Sequence, residues 1–280
     1  MGLIYTAKQT AIDRTIAIKM LRPDMPHDEQ TRARFLAEAA VIGDLEHPNI
    51  VPVYDLGVDP HGRLFYAMKK IQGTPWSQVI GAKALQENIQ ILQRVCDAVA
   101  FAHSRGVLHL DIKPENVMLG EFGEVLLMDW GLAASVADEA KAERLSQIPI
   151  GGTALYMAPE MAQGDVERMG FTSDVYLLGA VLYEIVAGKP PHAGTSAMNC
   201  LYNAAQNLIV PTKVKGELLE IALKAMVTEP AGRYQSVAEL KKALAQYERH
   251  RESTALTKRG IGTVMVGDDF TTNIRAAYEH

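Results

Sequence analysis

His109-Leu110-Asp111-Ile112-Lys113-Pro114-Glu115-Asn116 is the stretch on which the interpretation of this chain turns. Two short segments come after it, Asp129-Trp130-Gly131 and Ala158-Pro159-Glu160, and one precedes it, Ile16-Ala17-Ile18-Lys19. Taken singly, each has an ordinary explanation. A lysine on a strand or a glutamate in the middle of a helix usually faces water. An aspartate close to a glycine, as at Asp129, is more often turn chemistry than a ligand. Those explanations do not account for four such segments in this order.

The residues before the stretch read as strands, and those around and after it as helices. Residues 3–7 and 15–20 are β-rich and flank a polar turn at Ile12-Asp13-Arg14. Residues 28–45 repeat Phe35, Leu36, Ala39, Ile42 and Leu45 at helical spacing, with Asp28 as the expected N-cap and His47-Pro48-Asn49 as the stop. Two more strands, 50–58 and 64–70, are joined by Asp59-Pro60-His61-Gly62. From Gly73 the character changes: 86–103, 173–187, 216–226 and 237–249 are helix candidates, punctuated by Gly188 and Pro230. A sheet-rich unit with one helix followed by a helical unit is two lobes, and residues 250–280 fall outside both. No internal repeat is visible.

Composition narrows the function classes. With 280 residues, 48% hydrophobic and 22% charged, the chain can bury a substantial core. A net charge of −5 argues against a nucleic-acid surface. Cys96 and Cys200 make no disulfide framework, which points to reduced thiols and a cytoplasmic location. The most apolar run, 175–186, is broken by Gly179 and Glu184 and is too short to span a bilayer. Met1-Gly2-Leu3-Ile4-Tyr5-Thr6 lacks the pattern of a signal peptide. It fits the loose myristoylation pattern M-G-x-x-x-[ST], although Gly2 admits a competing explanation.

In order, the four segments resemble the V-A-I-K strand, the H-R-D-x-x-x-x-N loop, and the D-F-G and A-P-E triplets of protein kinases. The likeness is to the bacterial-style, eukaryotic-like serine/threonine class and extends to about Arg249. It implies an α+β, bilobal protein-kinase-like fold: a small antiparallel sheet lobe with one main helix over 1–70, a larger, mostly helical lobe over 71–249, and a tail over 250–280. It implies a protein serine/threonine kinase that transfers the γ-phosphate of ATP, held with Mg2+, to a hydroxyl of a protein substrate. Such transfer needs positioning and charge neutralisation more than covalent chemistry.

On that resemblance Asp111 accepts the substrate proton, and Lys113, in the serine/threonine-type placement, touches the γ-phosphate. Asn116 and Asp129 are oxygen ligands suited to Mg2+. Lys19 contacts the α- and β-phosphates and is held by Glu38. Gly2 matches the last glycine of the phosphate-covering loop. Ile4 and Ala17 roof the adenine slot, and Met118 floors it. Met68 is its gatekeeper, and the Lys69 carbonyl and Ile71 amide meet the adenine edge. The resemblance also makes Asp174 an anchor of the catalytic-loop backbone, the other explanation being a helix N-cap. It pairs Glu160 with Arg233, and it stacks Ile42, Val53, Trp130 and His109 between the lobes.

Three departures stand out. The first strand and the first two glycines of the phosphate loop are absent, as in a fragment or a short natural form. Leu110 stands where the family has an arginine that meets an activation-loop phosphate, so Ser135, Ser146 and Thr153 have no cationic partner there. Trp130 replaces phenylalanine and brings an N–H that needs an acceptor. The shortened loop favours a scaffold that binds a partner with little transfer; the joint presence of Lys19, Glu38, Asp111, Asn116 and Asp129 favours the enzyme. A small-molecule phosphotransferase ranks third, because Gly151-Gly152-Thr153 to Glu160 resembles a protein-substrate seat. The expected edge at 3–7 and the β-prone run 260–267 are the surfaces for self-association. Either the tail covers that edge, in its own chain or a neighbour's, or it touches nothing, which is the commoner behaviour of a terminus.

Overall fold

The alternation of residues along the first strands sets the architecture of the small lobe. The computed structural model describes residues 2–22, 29–135 and 152–265. β1 (Gly2–Gln9) and β2 (Arg14–Leu21) form an antiparallel hairpin that turns through Thr10–Ile12, with Asp13 in the left-handed region at φ 54°. Aspartate tolerates that conformation better than most residues. β3 (Val53–Val58) and β4 (Leu64–Lys69) complete a four-stranded antiparallel sheet in the order β1-β2-β4-β3. Ile4 and Tyr66 both lie opposite Lys19, while Thr6 and Met68 lie opposite Ala17. Directly opposed residues share a face of a sheet, so Ile4, Ala17, Lys19, Tyr66 and Met68 are gathered on one side.

α1 (Glu29–Asp44) packs against β3 and β4 and buries Phe35, Glu38, Ala39 and Ile42. Their spacing of three and four residues is that of a single helix face. The expected cap Asp28 lies outside the described residues. Backbone and side-chain links join this lobe to the larger one: Ile50 bridges Leu127, Leu127 N–H donates to Asn49 O at 2.8 Å, and the Asn49 side-chain amide donates to Val125 O at 2.8 Å.

The larger lobe carries two small sheets and most of the helices. β5 (Gly73–Pro75), β7 (Val117–Gly120) and β8 (Val125–Leu127) pair in that order, and β6 (Val107–Leu108) pairs with β9 (Ala134–Ser135). The helices are α2 (Leu85–Ser104), α3 (Pro159–Gln163), α4 (Phe171–Ala187), α5 (Ala197–Ala205), α6 (Glu217–Ala225) and α7 (Val237–Met265). α4 is buried on every side from Ser173 to Tyr183, as an apolar helix at the centre of a domain should be. α2 and α6 pack against it. At Gly179 a β-carbon would lie 2.5 Å from that of Ala225, so only glycine permits the close approach of α4 and α6.

The C-terminal expectation needs correction. Residues 260–265 continue α7, which runs unbroken past Arg249 to Met265, and are not a strand. Helix propagation adds one hydrogen bond per residue to a nucleus already formed upstream, and here it overrides the local β preference. Among the described residues β1 pairs only with β2, and none of the described tail residues adds a strand to its outer edge. Residues 266 and 267 of that run lie outside the described residues. Among the described residues no helix is long and apolar enough to cross a membrane.

Candidate active site

The cleft between the lobes is assembled around two polar clusters. The first is on the sheet. Lys19 Nζ donates to Glu38 Oε1 at 2.5 Å and reaches Asp129 Oδ1 at 3.3 Å. The Tyr66 hydroxyl donates to the same Glu38 oxygen at 2.9 Å. Burial pulls the Lys19 ammonium down, but the charges and hydrogen bonds of Glu38 and Asp129 outweigh it and hold Lys19 above the ordinary lysine value. For Asp129, burial works upward; the charge and hydrogen bond of Lys19 prevail, with Lys113 adding to them, and keep the carboxyl below its usual range. Gly2 lies over this pair: a β-carbon there would sit 2.9 Å from Lys19 Cγ, so a side chain would displace the lysine stem.

The second cluster is the loop between β6 and β7. Lys113 Nζ donates to both oxygens of Asp111, at 2.8 and 2.9 Å. The Asn116 amide nitrogen donates to Asp111 Oδ2 and to Asp111 O, both at 2.8 Å. Asp174, in the first turn of α4, accepts the N–H of His109 and of Leu110, each at 2.8 Å, and meets His103 Nε2 at 2.8 Å. This is the anchoring role and not an N-cap, a position held by Gly170. One carboxylate gripping two successive amides turns the backbone sharply, and Leu110 accordingly has φ 62°. That is a strained conformation for a leucine.

The His109 ring connects the clusters. Its Nδ1 accepts the Asp111 N–H at 3.1 Å, which places its proton on Nε2, facing Met128 O at 3.2 Å. Burial lowers its pKa despite the upward pull of Asp174 and Asp111, so the ring is neutral. Trp130 packs against it in a tilted arrangement, 4.5 Å between centroids and 56° between ring planes. The acceptor expected for the Trp130 N–H is missing: the group is buried and meets none among the described residues. An orphaned donor of this kind costs about 1–3 kcal/mol.

The resulting cleft encloses about 570 Å³. Among the residues singled out from the sequence, Gly2, Ile4, Lys19, Met68, Asp111, Lys113, Asn116, Met118 and Asp129 line it. Glu38 stands behind Lys19. Three others also do not line it. Ala17 shares the face of Lys19 but is buried in β2 between its neighbours, Lys69 turns its ammonium to Glu124 at 3.0 Å, and Ile71 packs against the core. Of the interlobe stack, Ile42 also lines the cleft, whereas Val53 lines a separate cavity behind it. Ser146 lies outside the described residues, as does the side chain of Thr153. Tyr66, Val51 and Met128 also line the cleft and were not anticipated. Strand alternation could have flagged Tyr66, two residues before Met68, but its place opposite Lys19 depends on register.

The oxygen donors of the cleft bear on Mg2+. Among the described residues no three His, Cys, Asp or Glu side chains form a metal cage. Mg2+ is seldom held that way; one or two protein oxygens and substrate phosphates normally share it. Asp129, held ionised and with its side chain 54% exposed toward the cleft, fits that pattern. Asn116 fits as well, since its nitrogen is committed to Asp111 and its amide oxygen remains the acceptor.

Comparison with known proteins matches residues 1–256 to the protein kinase domain. The chain belongs to the protein kinase family. It is 34% identical over 257 residues to serine/threonine-protein kinase PknB of Mycobacterium tuberculosis, covering 88% of this chain and 41% of that protein. With PknB of Mycolicibacterium smegmatis the identity is 36% over 252 residues, covering 86% and 40%. With serine/threonine-protein kinase PknD of Chlamydia trachomatis it is 34% over 289 residues, covering 88% and 30%. This kinase-family chain thus spans about two fifths of the length of the mycobacterial relatives. The two lobes, the cleft between them and the Lys19–Glu38 pair are the bilobal kinase fold expected from the sequence.

Proposed function

We propose that this chain is a protein serine/threonine kinase that transfers the γ-phosphate of ATP to a hydroxyl of a protein substrate. The observation that carries the proposal is the convergence, in one cleft, of the Lys19–Glu38 pair, Asp129 and the Asp111–Lys113–Asn116 cluster. Lys19 binds the α- and β-phosphates, and Glu38 keeps its ammonium in the cleft. Asp129 and Asn116 would hold Mg2+, which when bound screens the phosphate charge. Ile4 and Ala17 cover the adenine and Met118 supports it, with Met68 at the back of the slot. The Lys69 carbonyl and the Ile71 amide are its main-chain partners, roles that need no lining side chain. Gly2 closes over the phosphates.

Asp111 takes the proton of the acceptor hydroxyl as that oxygen bonds to the γ-phosphorus and the bond to the β-phosphate oxygen breaks, leaving ADP. Lys113, already on both Asp111 oxygens, stays beside the phosphoryl group as charge builds. Incubation with radiolabelled ATP and Mg2+ tests the proposal on this chain and on Asp111→Ala. Label should enter serine or threonine of the first, and transfer should fall about 10²- to 10⁴-fold in the second at nearly unchanged ATP affinity. Equal turnover in the two would remove Asp111 from the chemistry. A chain that binds Mg·ATP and transfers nothing would be the scaffold.

A further inference from the structure

The Lys19–Glu38 contact has a third member that the proposed kinase mechanism leaves unused. Tyr66 stands directly opposite Lys19 across β2 and β4 and is 2% exposed. Its hydroxyl donates at 2.9 Å to Oε1 of Glu38, the oxygen that also receives Lys19. Its ring lies 5.3 Å from that of Phe35, which is one turn before Glu38 on α1. The Lys19 ammonium is 5.8 Å from the Tyr66 ring centre. Tyr66 therefore touches the helix, the carboxylate and the strand that carries the lysine.

We infer that Tyr66 is a positioning residue for the phosphate-binding lysine: its hydroxyl holds the Glu38 carboxylate, and through it α1, in place while Lys19 turns toward the nucleotide. The inference rests on the proposed Mg·ATP role of the cleft. A buried carboxylate that loses a donor is costly. When Lys19 directs its hydrogens to phosphate oxygens, it weakens its hold on Glu38, and the Tyr66 hydroxyl is the donor that remains. Burial, reinforced by the neighbouring Glu38 charge, pushes the phenol far above its ordinary pKa, so the hydroxyl stays a donor at every working pH. The simpler alternative is a core tyrosine whose hydroxyl has found the nearest acceptor and whose contribution is packing alone.

Tyr66→Phe keeps the ring and removes the hydroxyl. With this variant kcat/KM for Mg·ATP should fall about tenfold, the scale of a hydrogen bond to a charged group. In the nucleotide-free chain, amide exchange should quicken in α1 and stay unchanged in α2 and α4. In a Glu38→Gln background the same substitution should cost less than about twofold, because the group it acts through is gone. Wild-type kcat/KM with wild-type α1 exchange in Tyr66→Phe would overturn the inference, as would an equal loss in both backgrounds, which signifies packing. Failure of the underlying role looks different: the unsubstituted chain would neither bind Mg·ATP by calorimetric titration nor transfer phosphate, and the inference would fall with it.

Discussion

Asn116 and Asp129 face the same cleft with different duties. Asn116 spends its nitrogen on the Asp111 side chain and backbone, whereas Asp129 presents an ionised carboxylate beside Lys19. Loss of a charged oxygen from a Mg2+ site removes more stabilisation than loss of a neutral one. Asp129→Asn should therefore raise the Mg2+ concentration needed for half-maximal activity far more than Asn116→Ala, while Asn116→Ala lowers kcat by loosening Asp111. A magnesium titration that gives the two variants the same midpoint would refute this ranking. Leu110 makes a complementary point. Its side chain is wholly buried, its backbone is held by Asp174, and it offers no cation to an activation-segment phosphate. Ser135, paired in β9 with Val107, is accordingly expected to be dispensable. A Ser135→Ala, Ser146→Ala double variant should retain activity, and its abolition in a transfer assay would contradict that account.

Between elements, a fully buried polar link joins Arg233 to Glu160. Arg233 Nη1 and Nη2 donate to the two Glu160 oxygens at 2.6 and 2.7 Å, and both side chains are wholly buried. The rest of the guanidinium is satisfied by Val227 O, Thr228 O and Thr172 O. This ties α3 and the start of α4 to the segment before α7. Arg233→Ala strands a buried carboxylate, and unfolding should become easier by about 3–5 kcal/mol. A melting temperature within a degree of the parent chain would show the pair to be minor. α7 yields a second expectation at this scale. Since the helix runs to Met265 and β1 has only β2 as partner among the described residues, deletion of residues 255–280 should leave amide exchange in residues 3–7 unchanged. Faster exchange there would restore the idea of a tail laid on the sheet edge.

The molecule as a whole carries its pH dependence in buried imidazoles. Burial lowers the pKa of His109 and of His192, the latter held between the Tyr176 hydroxyl and Leu208 O. Below the ordinary value near 6.5 the unfolded chain binds protons that the folded chain refuses, so stability is lost as pH falls through that value. Asp174 acts lower on the scale. Burial opposes its ionisation, but His103 and His109 hold the carboxyl down, and its contribution disappears as pH drops through the folded value. The melting temperature should fall from about pH 7.5 to 5.5, the span that brackets free imidazole, and His192→Gln should reduce that slope. A flat profile across this span would exclude the buried histidines as its source.

The two lobes, the strand–helix order and the Lys19, Asp111, Asn116 and Asp129 set were legible in the sequence. Alternation and helical spacing are local properties, and the candidate site residues lie in short segments whose order carries information. The sequence also raised the question of the Trp130 N–H without being able to locate an acceptor for it. Register, and with it the position of Tyr66 opposite Lys19, was decided only when β1, β2 and β4 paired, because a slip of one residue turns every side chain to the other face. The fate of residues 260–265 was likewise not local. Their β preference is weak compared with the hydrogen bonds gained by extending a helix already nucleated at Val237, and that comparison exists only once α7 has formed.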